Sequence, residues 1–428
     1  MWIGIFLIII KMSESITIVK GPLLGNVRVS GAKNSALRLL AASILTDKVV
    51  ELNNFPNGLL DVQIHLDMLK VLGKNCNTNH DSVIISEMKT EITSLEWNGR
   101  SIRNTLLILG ALVTRFGEGR VPLPGGCKLG ERKFDLHLML LENLGAEVWE
   151  EEPGYLCAKV KKGKRLIASN IYLPMRSTGA TENSIICASL AYGKTTIWNP
   201  HIRPEIMDLI EMLTKMGANI TVYGQKCIVV EGVNELNSVK HSVIPDNMEA
   251  LTWAIGAVIT NGEIEIENFP FTHLEIPMVY LRESGMKFYR GGNNLIVKGG
   301  TPYPVEISTG PYPGINSDMQ PLFAIYGAMC HGESKVVDLR FPGRYGYAEE
   351  LAKMGMKYRI EGDMLVIIGG AQLKGAMVTA LDLRAGIALL LAGLTAEGET
   401  IIENSWQIHR GYENLFGKLK QLGVNISN

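Results

Sequence analysis

The sequence predicts an α/β protein of two domains, each built from three copies of one repeated unit. Three observations carry this. The pattern Leu-x-x-[Leu/Met/Ser]-Gly-x-x-[apolar] occurs six times, with Cys in the last place of the first copy. A turn leading into an alternating strand precedes each copy by about 25 residues. The composition, 428 residues at 46% hydrophobic and 20% charged, is that of an ordinary globular chain, and at roughly 100–200 residues per domain it requires at least two.

The six copies are LKVLGKNC, LENLGAEV, LTKMGANI, LRESGMKF, LAKMGMKY and LKQLGVNI. Their glycines, Gly73, Gly145, Gly217, Gly285, Gly355 and Gly423, are spaced by 72, 72, 68, 70 and 68 residues. Each copy reads as an amphipathic helix closed by a left-handed glycine, then entry into a strand. The preceding segments are TDKVVELNNF, GEGRVPLPG, YGKTTIWNP, NGEIEIENF, HGESKVVDL and EGETIIENS. Alternation such as Glu263-Ile264-Glu265-Ile266-Glu267 marks a half-buried strand. A unit of strand, turn, strand, helix, glycine and strand cannot bury its sheet and its helix alone. Three units about a common axis place helices inside and sheets outside, and six units make two domains. The competing reading, a solenoid, fits poorly, because solenoid repeats run about 20–50 residues. The midpoint, Lys240-His241-Ser242-Val243-Ile244, has no Pro/Ser/Gly-rich linker. Short strands should therefore join the halves, with a cleft between them of the kind that often holds ligands.

Charge excludes some partners. Lys plus Arg is 42 and Asp plus Glu is 43, a net charge of −1, which argues against a nucleic-acid binder. The six cysteines (Cys76, Cys127, Cys157, Cys187, Cys227 and Cys330) are scattered, with no C-x-x-C pair, so neither a zinc ribbon nor a disulfide scaffold is indicated. A reducing, cytoplasmic setting fits best. Residues 1–11 include the apolar run MWIGIFLIII, too short to span a bilayer and lacking a basic leader. They read as an extension before a true start at Met12, and no stable membrane association is expected.

No P-loop, G-x-G-x-x-G or H-E-x-x-H motif is present. Ser30-Gly31-Ala32-Lys33 matches S-x-x-K, but its β-lactamase companions are missing. Four stretches stand out. Val29 to Leu37 puts Lys33 at a helix start, where an ammonium and backbone N–H groups can meet an anion; the plain alternative is a solvated lysine. Pro122 to Arg132 is a glycine- and proline-rich loop in which Lys128 and Arg132 flank Cys127, and nearby cations make a thiol more reactive. Cys76, Cys187 and Cys330 read instead as buried structural thiols. Ser177 to Asn183 suits a phosphate or a capping box equally. Asp318, Arg344, Asp382-Leu383-Arg384 and His409-Arg410-Gly411 bring acids and bases from successive repeats, as a shared site or as structural ion pairs. Clustered arginines suit a small anionic substrate, since guanidinium grips carboxylate and phosphate bidentately.

From about residue 16 onward the chain resembles the enolpyruvyl transferases. The matching segments are GAKNSAL, LPGGCKLGERKFDLH, STGATEN, NSDMQ, DLRAGIALLLAGLTAEGET and HRGYE, in the family's order. The resemblance implies a two-domain inside-out α/β barrel of six βαβαββ units. It divides the chain into residues 33–243, carrying the Cys127 loop, and residues 12–32 plus 244–428. The implied reaction moves the enolpyruvyl group of phosphoenolpyruvate to the 3′-hydroxyl of UDP-N-acetylglucosamine, through a tetrahedral adduct and with release of phosphate. That is the first step of peptidoglycan precursor synthesis. It implies small-molecule substrates, no metal or organic cofactor, and no obligate protein partner.

By the same resemblance, Lys33 binds phosphoenolpyruvate and stabilises its developing charge, and Asn34 touches the sugar. Cys127 is the general acid toward the methylene carbon and the target of fosfomycin-like epoxides. Arg103, Arg132 and Arg410 hold phosphate groups, and Arg384 holds the carboxylate. Asp382 is a proton-transfer partner, and Asp318 accepts the sugar hydroxyl proton. Arg132, Lys133, Phe134, Asp135 and Leu136, with Ser177, Thr178, Gly179 and Arg340, line the nucleotide-sugar pocket. The chain departs from the family pattern at Trp198-Asn199, at Asn247 in place of an arginine, and at Pro342-Gly343 beside Arg344. These changes leave open a related transferase with another nucleotide acceptor. A shikimate-type enzyme, whose loop needs no cysteine, and an inactive binding protein on the same fold are the other readings.

Overall fold

A computed structural model of the chain describes residues 15–89, 91–124 and 134–427. The extension at residues 1–11 and the start at Met12 lie outside them. All six alternating segments form strands: Val50–Asn53, Glu118–Pro122, Lys194–Trp198, Glu263–Glu267, Glu333–Val337 and Glu399–Glu403. Each is followed by its helix: Leu60–Val71, Asp135–Asn143, Pro204–Lys215, Glu275–Glu283, Gly346–Lys353 and Leu415–Gln421. The six repeat glycines all take positive φ, between 81° and 108°, as helix-closing residues without a Cβ should.

The structure adds a second helix to every unit: Lys33–Ala42, Thr105–Phe116, Thr178–Ser189, Asn247–Ile259, Gln320–Met329 and Leu383–Gly393. The turns before them mark the starts of Lys33–Ala42 and Thr178–Ser189, but the other four have little or no polar face and periodicity did not reveal them. Every residue of Asn247–Ile259 and of Leu383–Gly393 is buried, and a helix apolar all round belongs inside. Counting the short strand or bridge before it, and lending Ser15–Val19 to the sixth, each unit is βαβαββ.

Six small sheets wrap these helices. In each sheet the alternating strand pairs in parallel with a short strand or bridge on one side and antiparallel on the other. Two pairings cross the chain's midline. Val239–Ser242, from the start of the fourth unit, joins Val50–Asn53 in the first core, and Leu24–Arg28, from before the first unit, joins Glu263–Glu267 in the second, so the two strands are exchanged between the repeat sets. The last sheet is completed by the N-terminal strand Ser15–Val19, which runs antiparallel to both Glu399–Glu403 and Ile426–Ser427. The apolar core forms two clusters. One spans residues 36–243; the other joins residues 16–29 to 248–426. The chain passes between them only at residues 30–35 and 244–247, where Gly31 bridges Pro245 and Ala32 N–H donates to Ile244 O at 2.7 Å. No described helix is long and apolar enough to cross a membrane.

Candidate active site

Several buried helices begin at one cleft between the two cores. Lys33 opens Lys33–Ala42. Asp246 caps Asn247–Ile259, accepting from Met248 and Glu249 N–H. Asp382 caps Leu383–Gly393, accepting from Arg384 and Ala385 N–H. Asp318 lies just before Gln320–Met329. Helix starts carry partial positive charge, so acids that cap them and anions that approach them are both favoured.

The charged side chains there form one network drawn from both halves. Arg410 grips Asp61 bidentately, Nε to Oδ1 at 3.1 Å and Nη2 to Oδ2 at 3.2 Å. Lys33 Nζ is 3.5 Å from the same carboxylate. Asp318 lies between two arginines, 3.1 Å from Arg344 Nη1 and 3.4 Å from Arg384 Nε. Arg344 reaches on to Asp382 at 3.4 Å. The arginine side chains are 5–10% exposed and Asp318 is 36% exposed, so Asp318 faces the cleft while its partners stay covered. Arg384 Nη1 is buried and has no hydrogen-bond partner among the described residues.

The environment tunes these groups. Burial, with Arg384 and Arg410 nearby, lowers the Lys33 pKa against the opposing pull of Asp61 and Asp318. Burial alone would raise the Asp61 carboxyl, yet Lys33 and Arg410 hold it below its ordinary value. Burial raises the Asp246 carboxyl and pushes the Tyr412 phenol, beside Arg384, up to about 12.

A second group of side chains lies on the first-half wall. Ser177 caps Thr178–Ser189 through Ala180 N–H, but no Glu or Gln stands there to reciprocate, so this is a simple cap and not a capping box. Thr178 Oγ1 is 2.8 Å from His201 Nδ1. An added Cβ at Gly179 would come within 3.1 Å of His137 Nε2. His137 is buried, with its pKa pushed down to about 3 by burial and then by Arg103. Arg103 and Gly179 therefore lie by His137, and Thr178 by His201. Asn34 is half-buried in the first turn of Lys33–Ala42. Phe134, Asp135 and Leu136 start the helix beside this wall. Arg340 reaches across to Met175 Sδ at 3.7 Å. Cys127, Arg132 and Lys133 lie outside the described residues.

The departures from the family pattern fall in different places. Trp198 alternates with the core residue Ile197 and stacks on Tyr172, ring centroids 6.0 Å apart, on the outer side of its sheet. Asn199 takes φ 55° and donates to Leu173 O, as Asn54 (φ 48°) does to Val243 O, so it serves the repeat. Asn247 lines a small cavity with His201, Arg203, His273, Tyr312 and Asn316. Pro342 and Gly343 form the turn into Arg344. The sequence reading passed over Asp61, Asp246, His137 and His201. An acid in the first turn of an amphipathic helix reads as a dipole partner, which hid Asp61. Among the described residues no group of three or more His, Cys, Asp or Glu side chains could hold a metal ion.

Comparison with known proteins agrees with this arrangement. A family model described as EPSP synthase (3-phosphoshikimate 1-carboxyvinyltransferase) matches residues 19–419. UDP-N-acetylglucosamine 1-carboxyvinyltransferase 1 of Carboxydothermus hydrogenoformans is 43% identical over 403 residues, 94% of this chain and 95% of that one. The UDP-N-acetylglucosamine 1-carboxyvinyltransferase of Koribacter versatilis is 39% identical over 411 residues, 95% of this chain and 94% of that one. Among solved structures, the enolpyruvyl transferase NikO from Streptomyces tendae superposes with a TM-score of 0.87 at 24% identity, covering 96% of this chain and 98% of that one. An EPSP synthase from Acinetobacter baumannii superposes at 0.74 with 18% identity, covering 97% of this chain and 100% of that one. These last two likenesses speak to the fold.

Proposed function

This chain belongs to the EPSP synthase family of enolpyruvyl transferases, and we propose that it transfers the enolpyruvyl group of phosphoenolpyruvate to the 3′-hydroxyl of UDP-N-acetylglucosamine, releasing phosphate. That reaction is the first step of peptidoglycan precursor synthesis. Relatives at 39–43% identity over nearly the whole chain carry that activity in their names. The observation that carries the proposal is the meeting of Lys33, Arg384 and Arg410 from the two cores, close enough for Arg384 and Arg410 to act on the Lys33 charge.

In this reading Lys33 and Arg410 bind the phosphate and Arg384 the carboxylate, with the free Arg384 Nη1 as a ready donor. Cys127 protonates the methylene carbon. The sugar oxygen then bonds to the adjacent carbon as Asp318 takes its proton, giving the tetrahedral adduct. Loss of a proton from the new methyl group and cleavage of the carbon–oxygen bond to phosphate yield the enol ether and free phosphate. Arg344 and Arg384 flank Asp318 and fix its carboxylate in place. Asp382, occupied by two backbone N–H groups and Arg344, contributes by holding that array and by passing protons through it. Asn34, Arg103, Arg132, Lys133, Phe134, Asp135, Leu136, Ser177, Thr178, Gly179 and Arg340 hold the nucleotide sugar. Fixed cations aimed at developing charge in a water-poor cleft lower such a barrier by several kcal/mol. The two cores, residues 36–243 and residues 16–29 with 248–426, act as the two domains of this cleft.

The test measures phosphate released from phosphoenolpyruvate. Release should require UDP-N-acetylglucosamine. Release with a different nucleotide and none with this sugar would overturn the acceptor assignment.

A further inference from the structure

Asp61 has no place in the reaction as just described, yet it is the hub of the cation cluster. It is 6% exposed and pairs with Lys33 from the first half and bidentately with Arg410 from the second. Arg100, also near it, adds to its ionisation. Its backbone sits in the first turn of Leu60–Val71, where the helix field favours a negative charge. Three residues earlier, Gly58 N–H donates to Glu413 Oε1 at 2.7 Å. Residues 58–61 and 410–413 thus meet at two points.

We propose that Asp61 is a built-in counter-anion: its carboxylate holds the two cations assigned to the substrate phosphate, one from each half, and is exchanged for that phosphate on binding. This rests on the reading of Lys33 and Arg410 as phosphate ligands. The exchange is electrostatically reasonable. Two buried cations facing each other without an acid would repel, and a bidentate carboxylate removes that penalty. A phosphate dianion carries more charge than one carboxylate and can displace it from Lys33, whose 3.5 Å contact is the looser of the two. Arg410 keeps Gln407 Oε1 at 3.1 Å during the exchange. Asp61 therefore sets the affinity of the free enzyme for anions by competing with them, a positioning role and not a catalytic one.

The experiment measures binding of inorganic phosphate to the full-length chain by titration calorimetry, together with KM for phosphoenolpyruvate and kcat. Asp61→Asn keeps the shape and removes the charge. It should tighten phosphate binding about tenfold, equivalent to ~1.4 kcal/mol, and lower KM for phosphoenolpyruvate more than it changes kcat. Asp61→Glu keeps the charge and should stay within a few-fold of the parent, which separates charge from folding damage. Unchanged or weaker phosphate binding in Asp61→Asn would overturn the proposal. A Lys33→Ala change added to Asp61→Asn tests the underlying reading separately. It should abolish the tight binding, and tight binding that survives it would place the phosphate elsewhere.

Discussion

Gly31→Ala places one methyl group at the crossing between the two cores. A Cβ there would lie 1.8 Å from Asn54 O, 3.0 Å from Asn54 C and 3.2 Å from Pro56 Cδ. Reaching ordinary contact with the carbonyl requires a shift of about 1.6 Å. The obstacles are backbone and a proline ring, so no side chain can rotate away. Overpacking of this kind costs about 1–3 kcal/mol, and the upper end applies because the crossing is fixed on both sides. At ~2–4 °C per kcal/mol for a domain of this size, Tm should fall by about 6–12 °C. Lys33 is two residues away, and a displacement of ~1 Å at a reacting group costs on the order of 10²-fold. The value of kcat/KM for phosphoenolpyruvate should fall by about that factor at temperatures where the protein is still folded. Gly21→Ala, with nothing within 4 Å of the new methyl, is the control and should stay within ~0.5 kcal/mol. Parent-like Tm and kcat/KM in Gly31→Ala would refute the close-packed crossing and its link to Lys33.

Acid stability offers a second check. His65 and His137 are buried with pKa values pushed down to about 3, chiefly by burial. An unfolded histidine titrates near ~6.5, so the unfolded chain binds more protons between those values. The stabilisation is complete above pH 6.5 and is lost as pH falls toward 3. Urea unfolding between pH 6.5 and 5 should show a slope of up to ~1.4 kcal/mol per pH unit for each histidine, and His137→Gln should remove one such share; an unaltered slope would contradict this. The lowered pKa of Lys33 puts the alkaline fall in kcat/KM for phosphoenolpyruvate below the ordinary lysine value of 10.5. Lys33→Arg should move that limb upward, and a limb that stays in place would assign it to another group. Burial pushes the Cys76 and Cys157 thiols up to about 11 and those of Cys187 and Cys330 up to about 12. Mild alkylation near neutral pH, or a fosfomycin-like epoxide, should therefore label Cys127 first, with labelling abolished in Cys127→Ser. Mass spectrometry finding the label elsewhere would remove the role given to that thiol.

The repeat was legible because it is local. A helix-closing glycine and an alternating strand are written in eight or ten residues, and all six copies fold as read. Of the six buried helices only the turns that open Lys33–Ala42 and Thr178–Ser189 were legible, since a segment such as Leu383–Gly393 has no polar face to give it a period. Nor could local pattern show that Ser15–Val19 closes the last sheet, or that Leu24–Arg28 and Val239–Ser242 change places, because those pairings span more than 180 residues. In the site, Lys33, Asp318, Asp382, Arg384 and Arg410 stood out as charges in small-residue or glycine-bearing turns. Asp61 and His201 did not, because their meaning comes from partners in distant units: Arg410 for one, Thr178 and the backbone of Tyr312 for the other.

The exchanged strands also decide how the halves can part. Contacts across the cleft are of two kinds. At the crossing, Ala32 N–H donates to Ile244 O, Asp246 N–H to Ser30 O at 2.9 Å, and Lys33 N–H to Asp246 Oδ2 at 3.2 Å. These are covered and tied further by Ser30 N–H to Glu249 Oε2 at 2.9 Å. Elsewhere, apart from the Arg410–Asp61 pair that bound phosphate would replace, the links are single: Gly58 to Glu413, Tyr312 N–H to His201 Nε2 at 3.2 Å, and Arg340 to Met175. Breaking a buried hydrogen bond leaves unsatisfied groups and costs more than breaking an exposed one, whose partners find water. Opening should therefore break the single links first and pivot at the crossing, leaving the Lys33 backbone anchored. Hydrogen exchange reads this directly. The amides of Ala32 and Asp246 should belong to the slowest class, those of Gly58 and Tyr312 should exchange faster, and adding phosphoenolpyruvate with the acceptor should slow only the second pair. Fast exchange at Ala32 and Asp246 would mean that the halves separate at the crossing itself, and that Lys33 moves with them.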